Sequence, residues 1–454
     1  MKNILGFFLS LVSTSVLCQD GQLDYSFNPY VNLNNSVISI AEQNDNKILI
    51  GGSFGSNNNN IKRLNVDGTT DTSFGAVINF PIVNDIFVQN DNKIVVVGRS
   101  PSYIKRLNEN GSLDATFNFP GATINGWINK VVVLNNGKII IAGIFNQIGN
   151  IPREAVARLN PNGSLDTSFN LNLPPVTGIR AMDVQPDGKI LIAGQNDETS
   201  NQYRIFRRYL QNGTLDTSFN GDEEHYIYDI KTQQDGKIMI SGPFDDYSNI
   251  IRYNVARLNN DGTLDPTFDS YNIPQNGSIY TIFDIAILDD GKYIINGSFS
   301  IYDQVTSNYI AKINHDGTID TSFNIGLGPN DFVHETYVQQ DGKILIGGNF
   351  TTYNGNSINR IARLDNSLLS TDPYLLGDSI TIYPNPTKDK VDIRLDNGLE
   401  TESILTIYSS TGQLLKVEEF TNRKTIDLSF LTSGMYVFCI KNGTQINTYK
   451  ILKQ

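Results

Sequence analysis

Residues 340 to 350 read QDGKILIGGNF, and the phrase keeps returning: NDNKILIGGSF (44 to 54), NDNKIVVVG (90 to 98), NNGKIIIAGIF (135 to 145), PDGKILIAG (186 to 194), QDGKIMISGPF (234 to 244) and DDGKYIINGSF (289 to 299). From Lys47 to Lys343 the six intervals cover 296 residues, roughly 49 each. Periods of about 40 to 50 residues are those of propeller blades. Each Asp-Gly or Asn-Gly pair suits a two-residue hairpin turn, because its residues tolerate positive backbone angles. The apolar run after the turn predicts a strand covered on both faces, and its glycines allow close backbone approach. Before the turn, alternation at Ile40, Ile86, Val131, Met182, Ile230 and Ile285 predicts a half-buried strand.

A second phrase follows in the first six units, as in LNNDGTLDPTF (258 to 268) and INHDGTIDTSF (313 to 323), and its third-strand part recurs in the seventh. It carries a basic residue on a third strand (Arg63, Arg106, Arg158, Arg208, Arg257, Lys312, Arg363) and an aspartate on a fourth (Asp71, Asp114, Asp166, Asp216, Asp265, Asp320). Their spacing across a loop predicts a repeated cross-strand ion pair rather than an anion funnel. The loop itself resembles part of a calcium loop, but the terminal bidentate glutamate that calcium would need does not follow. A structural turn is expected, with no metal and no cofactor. Phe27, Phe74, Phe117, Phe169, Phe219, Phe268 and Phe323 close the phrase as expected core residues.

Counting phrases predicts how the ring ends. The unit finishing IARLDNSLL (361 to 369) has no LDTSF after it, whereas LDYSF (23 to 27) precedes the first anchor. The N-terminal strand is therefore expected to supply the outer strand of the seventh blade. Tyr203, Tyr247, Tyr302 and Tyr353 occur among Asn, Asp and Ser after the second strand, a composition common at recognition surfaces, and form the candidate ligand-binding loops.

The repeats, DGKIL-[IV]-[GA]-G followed by [IA]-[AK]-R-L-N-x-[DN]-G-[ST]-L-D-x-[ST]-F, resemble the delta-60 repeat family over roughly residues 20 to 369. That resemblance implies a β-propeller and no catalytic residue. Two units depart from it, with TDTSF at 70 to 74 and FRRYLQNG at 206 to 213.

Near residue 370 the grammar changes. After LSTDPYLLGDS come short alternating segments separated by Pro-Asn-Pro, Thr-Gly, Ser-Gly and Asn-Gly turns, which predict a small immunoglobulin-like β-sandwich. This segment resembles the C-terminal sorting domain of the type IX (Por) secretion system of Bacteroidota. The likeness rests on Tyr383, Pro384, Asn385 and Pro386, on Gly412, on L-S-x-L-x-x-G-x-Y from Leu428 through Gly434 to Tyr436, and on Lys450 and Lys453. It implies export through the periplasm and outer membrane, with the type IX machinery as partner, to a secreted or cell-surface location.

The start of the chain agrees. MKNILGFFLSLVSTSVLC sets Lys2 before an apolar run too short to span a bilayer, as in a signal peptide. No transmembrane segment is expected in the mature protein. The organisation expected is a signal peptide at 1–18, a seven-bladed propeller at 19–370, a linker at 371–379 and a sorting domain at 380–454.

Composition narrows the function. A net charge of −12 repels phosphate backbones, so no nucleic acid is expected as a partner. Two cysteines, Cys18 and Cys439, give no disulfide framework, and His225, His315 and His334 lack metal spacing. The chain reads as a non-catalytic binding or adhesion scaffold with a glycan or protein ligand. The alternative is a secreted glycan-active enzyme with carboxylates in the funnel, since acids are plentiful (Asp222 to Glu224, Asp245 and Asp246, Asp289 and Asp290).

Overall fold

A computed structural model of the chain describes every residue except 1–19, 30, 32, 56–58, 77, 100–102, 120–123, 125, 175–177, 198–199, 271–280, 304, 367–379, 384–386, 396–402, 410–413, 422, 443–444 and 454. The expected signal peptide and linker thus lie outside the described residues. Contacts divide the chain into two units, Met1–Asn366 and Ser367–Gln454.

Among the described residues, the first unit contains seven three-stranded antiparallel sheets. In the first of them Val37–Glu42 pairs with Ile48–Gly52, which pairs with Ile61–Leu64. The same order recurs down to Val333–Val338, Ile344–Gly348 and Ile361–Leu364. Middle strands such as Ile48–Gly52 and Ile344–Gly348 are buried at every position, as a run covered on both faces must be. Gly51 is there because a Cβ would come 2.5 Å from Cγ1 of Val83, on the next inner strand; at Gly347 it would come 2.6 Å from Cγ1 of Val37. The core lies between blades. Met239 and Val255 of one blade share a cluster with Ile282, Ile285 and Tyr293 of the next.

The hairpin turns differ from the two-residue form. Gln43 N–H donates to the Lys47 carbonyl and Asn46 N–H to that of Gln43, so three residues make the loop. One positive angle per turn suffices, at Asn46, Asn92, Gly137, Gly188, Gly236, Gly291 and Gly342. This is the type I turn with a bulge that three-residue hairpins favour.

The fourth strand is also less than expected. It amounts to single bridges such as Leu64↔Thr70, Leu159↔Leu165 and Leu258↔Leu264. The aspartate that follows bends the chain: Asp71 Oδ1 accepts from Ser73 N–H at 2.9 Å and from its hydroxyl at 2.6 Å, and Phe74 N–H returns to the Asp71 carbonyl. Local side-chain bonds of this kind compete with extended structure. Phe27, Phe169, Phe268 and Phe323 are buried as expected, whereas Phe74, Phe117 and Phe219 are half-buried.

The repeated ion pair is present. Arg63, Arg106, Arg158, Arg208 and Arg257 donate through Nε to Asp71, Asp114, Asp166, Asp216 and Asp265 at 2.7 to 2.9 Å. Each guanidinium also lies over a phenylalanine ring, as Arg158 does over Phe169 at 4.3 Å, and reaches the loop of the following blade, as Arg158 does at the Gln211 carbonyl. Lys312 departs from the pattern. Its ammonium meets Asp20 at 3.2 Å and Asn366 at 2.8 Å, and Asp320 is taken by Lys292 at 2.8 Å. The shorter, single-headed lysine suits a site where two chain ends meet.

Those ends repeat the standard loop in two pieces. Within one blade, Gly68 N–H donates to Asn65, Asn65 N–H to Thr69 and Asp71 N–H to Arg63. Between the ends, Gly21 N–H donates to Asp365, Asp365 N–H to Gln22 and Asp24 N–H to Arg363, all at 2.8 to 2.9 Å, and Leu23 bridges Leu364.

In the second unit Ile380–Tyr383, Lys390–Leu395 and Arg423–Asp427 make one sheet. Leu414–Phe420, Ser403–Ser409, Gly434–Asn442 and Gln445–Lys453 make another. Val391, Ile393, Leu405, Ile407, Ile426 and Phe438, fully buried, form their common core.

Candidate binding face

The inner strands carry one feature that strict alternation hides. Val37 faces Gly52, but Ser39 already faces Gly51, so Ile38 is an extra, bulged residue. The same skip isolates Asn84, Asn129, Arg180, Phe283 and His334. Tyr228, just before the strand Asp229–Thr232, holds the matching place in the fifth blade. A bulge turns its side chain away from the pleat and re-aims it, which is why bulges recur beside functional sites.

In four blades the residue after this position is turned sideways instead. Ser39 Oγ accepts from Ile86 N–H at 3.1 Å, Asp85 from Val131 at 2.9 Å, Asp229 from Ile285 at 3.1 Å and Asp284 from Thr336 at 2.9 Å. Each acceptor thus serves an N–H of the neighbouring inner strand. Asp183 does the same two residues further along its strand, taking both the N–H and the hydroxyl of Thr232 at 2.6 Å. Burial raises the Asp85 and Asp183 carboxyls and pushes Asp229 up to about 7. Glu335 is raised well above the ordinary glutamate value, by burial and then by Asp284. Lys231, 3.4 Å from both Asp229 and Asp284, stays protonated because its acidic neighbours outweigh its own burial.

The side chains at this position in four consecutive blades touch one another. The Arg180 guanidinium lies 4.1 Å from the centre of the Tyr228 ring; Tyr228 and Phe283 are 6.3 Å apart, and Phe283 and His334 stack at 6.0 Å. Phe332 meets the edge of Phe283 at 5.9 Å and is itself exposed. Arg180 is exposed, while Tyr228, Phe283 and His334 are half-buried. Burial lowers the His334 imidazole, so near neutral pH it sits in the arc as an uncharged ring. The opposite side is polar: Asn84 and Asn129 donate to the Ile128 and Ile179 carbonyls at 2.8 and 2.9 Å. A half-ring of π faces ending in a cation can grip a ligand by stacking and by charge.

The tyrosines chosen from the sequence are elsewhere. Tyr247, Tyr302 and Tyr353 are almost wholly buried, and their hydroxyls donate to the Gly262, Gly317 and Gly21 carbonyls at 3.0, 2.8 and 2.6 Å. They fasten the loop of their blade and present no contact surface. Tyr203 lies in the strand Ser200–Tyr209, and its side chain is outside the described residues. The arc was missed because a bulge breaks alternation. The signal was nonetheless available, two residues before each of the inner-strand apolar positions.

Of the sorting residues, Gly434, Tyr436 and Lys453 are brought together at one end of a sheet. Gly434 pairs with Lys453, and Tyr436 with Ile451. Tyr436 is buried and donates to the Thr432 carbonyl at 2.8 Å. Lys453, also buried, donates to the Lys388 carbonyl and to Asp389, the latter at 3.1 Å. Tyr383 is half exposed. Pro384, Asn385, Pro386, Gly412 and the Lys450 side chain lie outside the described residues.

Seven blades and a C-terminal unit of two sheets define an all-β propeller protein. Residues 43–74, 89–117, 134–169, 185–219, 233–268, 288–323 and 339–367 match a domain of unknown function (DUF5122) beta-propeller, and residues 381–454 match the secretion system C-terminal sorting domain. The chain belongs to this β-propeller family and carries the sorting tail of the type IX system, which directs it out of the cell, to the surface or the medium. No curated protein matches it. Solved structures similar to it include a gluconolactonase from Xanthomonas campestris (16% identity, 62% of this chain and 97% of that one, TM-score 0.33). A calcium-binding protein, regucalcin, from Agrobacterium tumefaciens is 10% identical, with 58% and 85% covered and a TM-score of 0.36. The extracellular domains 1–2 of Drosophila semaphorin 1a are 13% identical, with 75% and 88% covered and a TM-score of 0.36.

Proposed function

We propose that this chain is a non-catalytic binding scaffold, carried out of the cell by its sorting domain, whose ligand docks on the arc from Arg180 to His334. The observation that carries the reading is that arc: four touching side chains, three of them at bulges, on four adjacent blades. Inner-strand carboxylates support it by contrast, because Asp85, Asp183, Asp229 and Asp284 accept backbone N–H groups and so have a structural occupation.

The architecture belongs to the same proposal. Residues 19–370 form a seven-bladed ring closed by the N-terminal segment, after a signal peptide at 1–18. A linker at 371–379 leads to an immunoglobulin-like sandwich at 380–454. The bonds joining Gly21, Gln22 and Asp24 to Arg363 and Asp365 support the closure, and the shared core of the two C-terminal sheets supports the sandwich.

The test is a glycan and protein binding screen with residues 20–454, repeated with Tyr228→Ala and Phe283→Ala. The reading expects a ligand whose binding falls in both variants. Polysaccharide turnover abolished by one change, such as Glu335→Gln, would replace it with the enzymatic alternative.

A further inference from the structure

The arginines of the blades divide into two kinds. Those of the repeat, such as Arg158 and Arg257, are neutralised by an aspartate. Arg180 is exposed, lies over the Tyr228 ring at 4.1 Å, and has no carboxylate within ion-pair distance among the described residues. Arg99 repeats the arrangement over Trp127, at 4.9 Å. In a chain of net charge −12 an unpaired surface guanidinium on an aromatic support is the exception. Contact with the ring restricts the guanidinium, whose planar fork of N–H donors matches a carboxylate. Of the acids next in sequence to the arc, Asp229 and Asp284 are turned away into neighbouring N–H groups, and burial raises the Glu335 carboxyl well above the ordinary glutamate value.

Resting on the binding reading above, we propose that the arc takes an acidic glycan: a uronic-acid residue places its carboxylate on Arg180 while its sugar ring, and those of the next units, pack along Tyr228 and Phe283. The rings succeed one another at 6.3 and 6.0 Å along the blades, inclined by 32° and 29°, and make a continuous half-buried aromatic row. Asn84 and Asn129 line the other side with amide groups. An aromatic row beside amides and one cation suits a chain of pyranose rings, each apolar on its faces, hydroxylated at its edge and bearing one carboxylate. It offers less to a peptide, whose side chains vary in shape from one residue to the next.

Calorimetry with residues 20–454 tests this, using oligogalacturonate, the same oligomer methyl-esterified at every carboxyl, and oligoglutamate. The acid oligomer is expected to bind, and to weaken about ten- to a hundredfold on esterification or in Arg180→Gln, the range for a charged hydrogen-bonded contact. Arg180→Lys should recover only part, because lysine keeps the charge and loses the fork. Tyr228→Ala should weaken both sugar oligomers. Equal binding of acid and ester, unaffected at Arg180, would overturn the ligand class while leaving the face as a glycan site. Equal binding of oligoglutamate would show that charge alone is read and would overturn it too. If neither sugar binds while the screen finds a protein ligand that Tyr228→Ala abolishes, the acidic-glycan proposal falls and the binding face stands. If nothing responds to Tyr228→Ala, the face itself falls.

Discussion

Nε of Arg363 donates to Oδ2 of Asp24 at 2.7 Å, joining residues 339 positions apart in the chain. Elsewhere the same bond spans eight positions, as from Arg158 to Asp166. The long-range pair therefore reproduces a local one, with Phe27 under the Arg363 guanidinium at 4.8 Å. Deleting residues 20–30 should lower the unfolding temperature far more than trimming a tail. Phe27→Ala alone should cost about 3 to 5 kcal/mol, because the ring is buried. Denaturant unfolding of the two variants checks this, and a truncation that unfolds with the parent would refute ring closure.

The charged groups divide the pH axis into two windows. Asp216 is held down at about 2, as hydrogen bonds from Ser218 and Arg208 overcome its burial, and Asp24, Asp71, Asp114, Asp166 and Asp265 are also lowered. A depressed carboxyl stabilises above its unfolded value, about 3.9, and the gain is lost as pH falls toward the folded value. Asp229 has the opposite sign: raised to about 7, it favours the fold at low pH and ceases to do so as pH climbs from about 4 to 7. The melting temperature should therefore rise modestly on acidification from pH 7 to about 5, then fall steeply below 4. Asp229→Asn keeps an acceptor for Ile285 and should flatten the upper slope. An unchanged slope in that variant would remove Asp229 as its source.

What the sequence made legible was whatever a blade writes into itself. Turn, buried strand and Arg–Asp pair lie within one repeat, so counting letters was enough for the seven blades and for most ion pairs. Lys312 could not be read that way, since its partners Asp20 and Asn366 come from the two ends of the domain. The bulges at Arg180, Phe283 and His334 were equally hidden, because one extra residue defeats a period of two. Tyr247 and Tyr353 misled for another reason: a polar neighbourhood suggested solvent, but each hydroxyl is used on a buried glycine carbonyl.

Divalent metal should be dispensable. In the loops that resemble part of a calcium site, Asp67 Oδ1 already accepts from Thr69 N–H and hydroxyl at 3.0 and 2.7 Å, and Asp261 from Thr263 at 3.0 and 2.6 Å. Folding the loop thus satisfies these oxygens internally. Thermal unfolding with and without a chelator should coincide, and a midpoint lower by many degrees in chelator would restore a cation to these turns.

The sorting unit yields the last expectation. Residues 371–454 fused behind an unrelated exported protein should carry it across the outer membrane of a host with type IX secretion, since the match to the sorting domain extends over 381–454. Lys453 makes the test more specific. Its buried ammonium bonds the Lys388 carbonyl and Asp389, while its backbone pairs with Gly434, so it ties the final strand to the segment after Pro386. Lys453→Met keeps much of the apolar stem but leaves the Lys388 carbonyl without that donor, a loss of about 1 to 3 kcal/mol. If the machinery reads the folded end of this sheet, the substituted fusion should accumulate in the periplasm while the unaltered fusion reaches the medium or the surface. Full export of the Lys453→Met fusion would mean that the address does not depend on this contact. Retention of both fusions, beside a control sorting domain that delivers the same cargo, would mean that residues 371–454 are not a sufficient address.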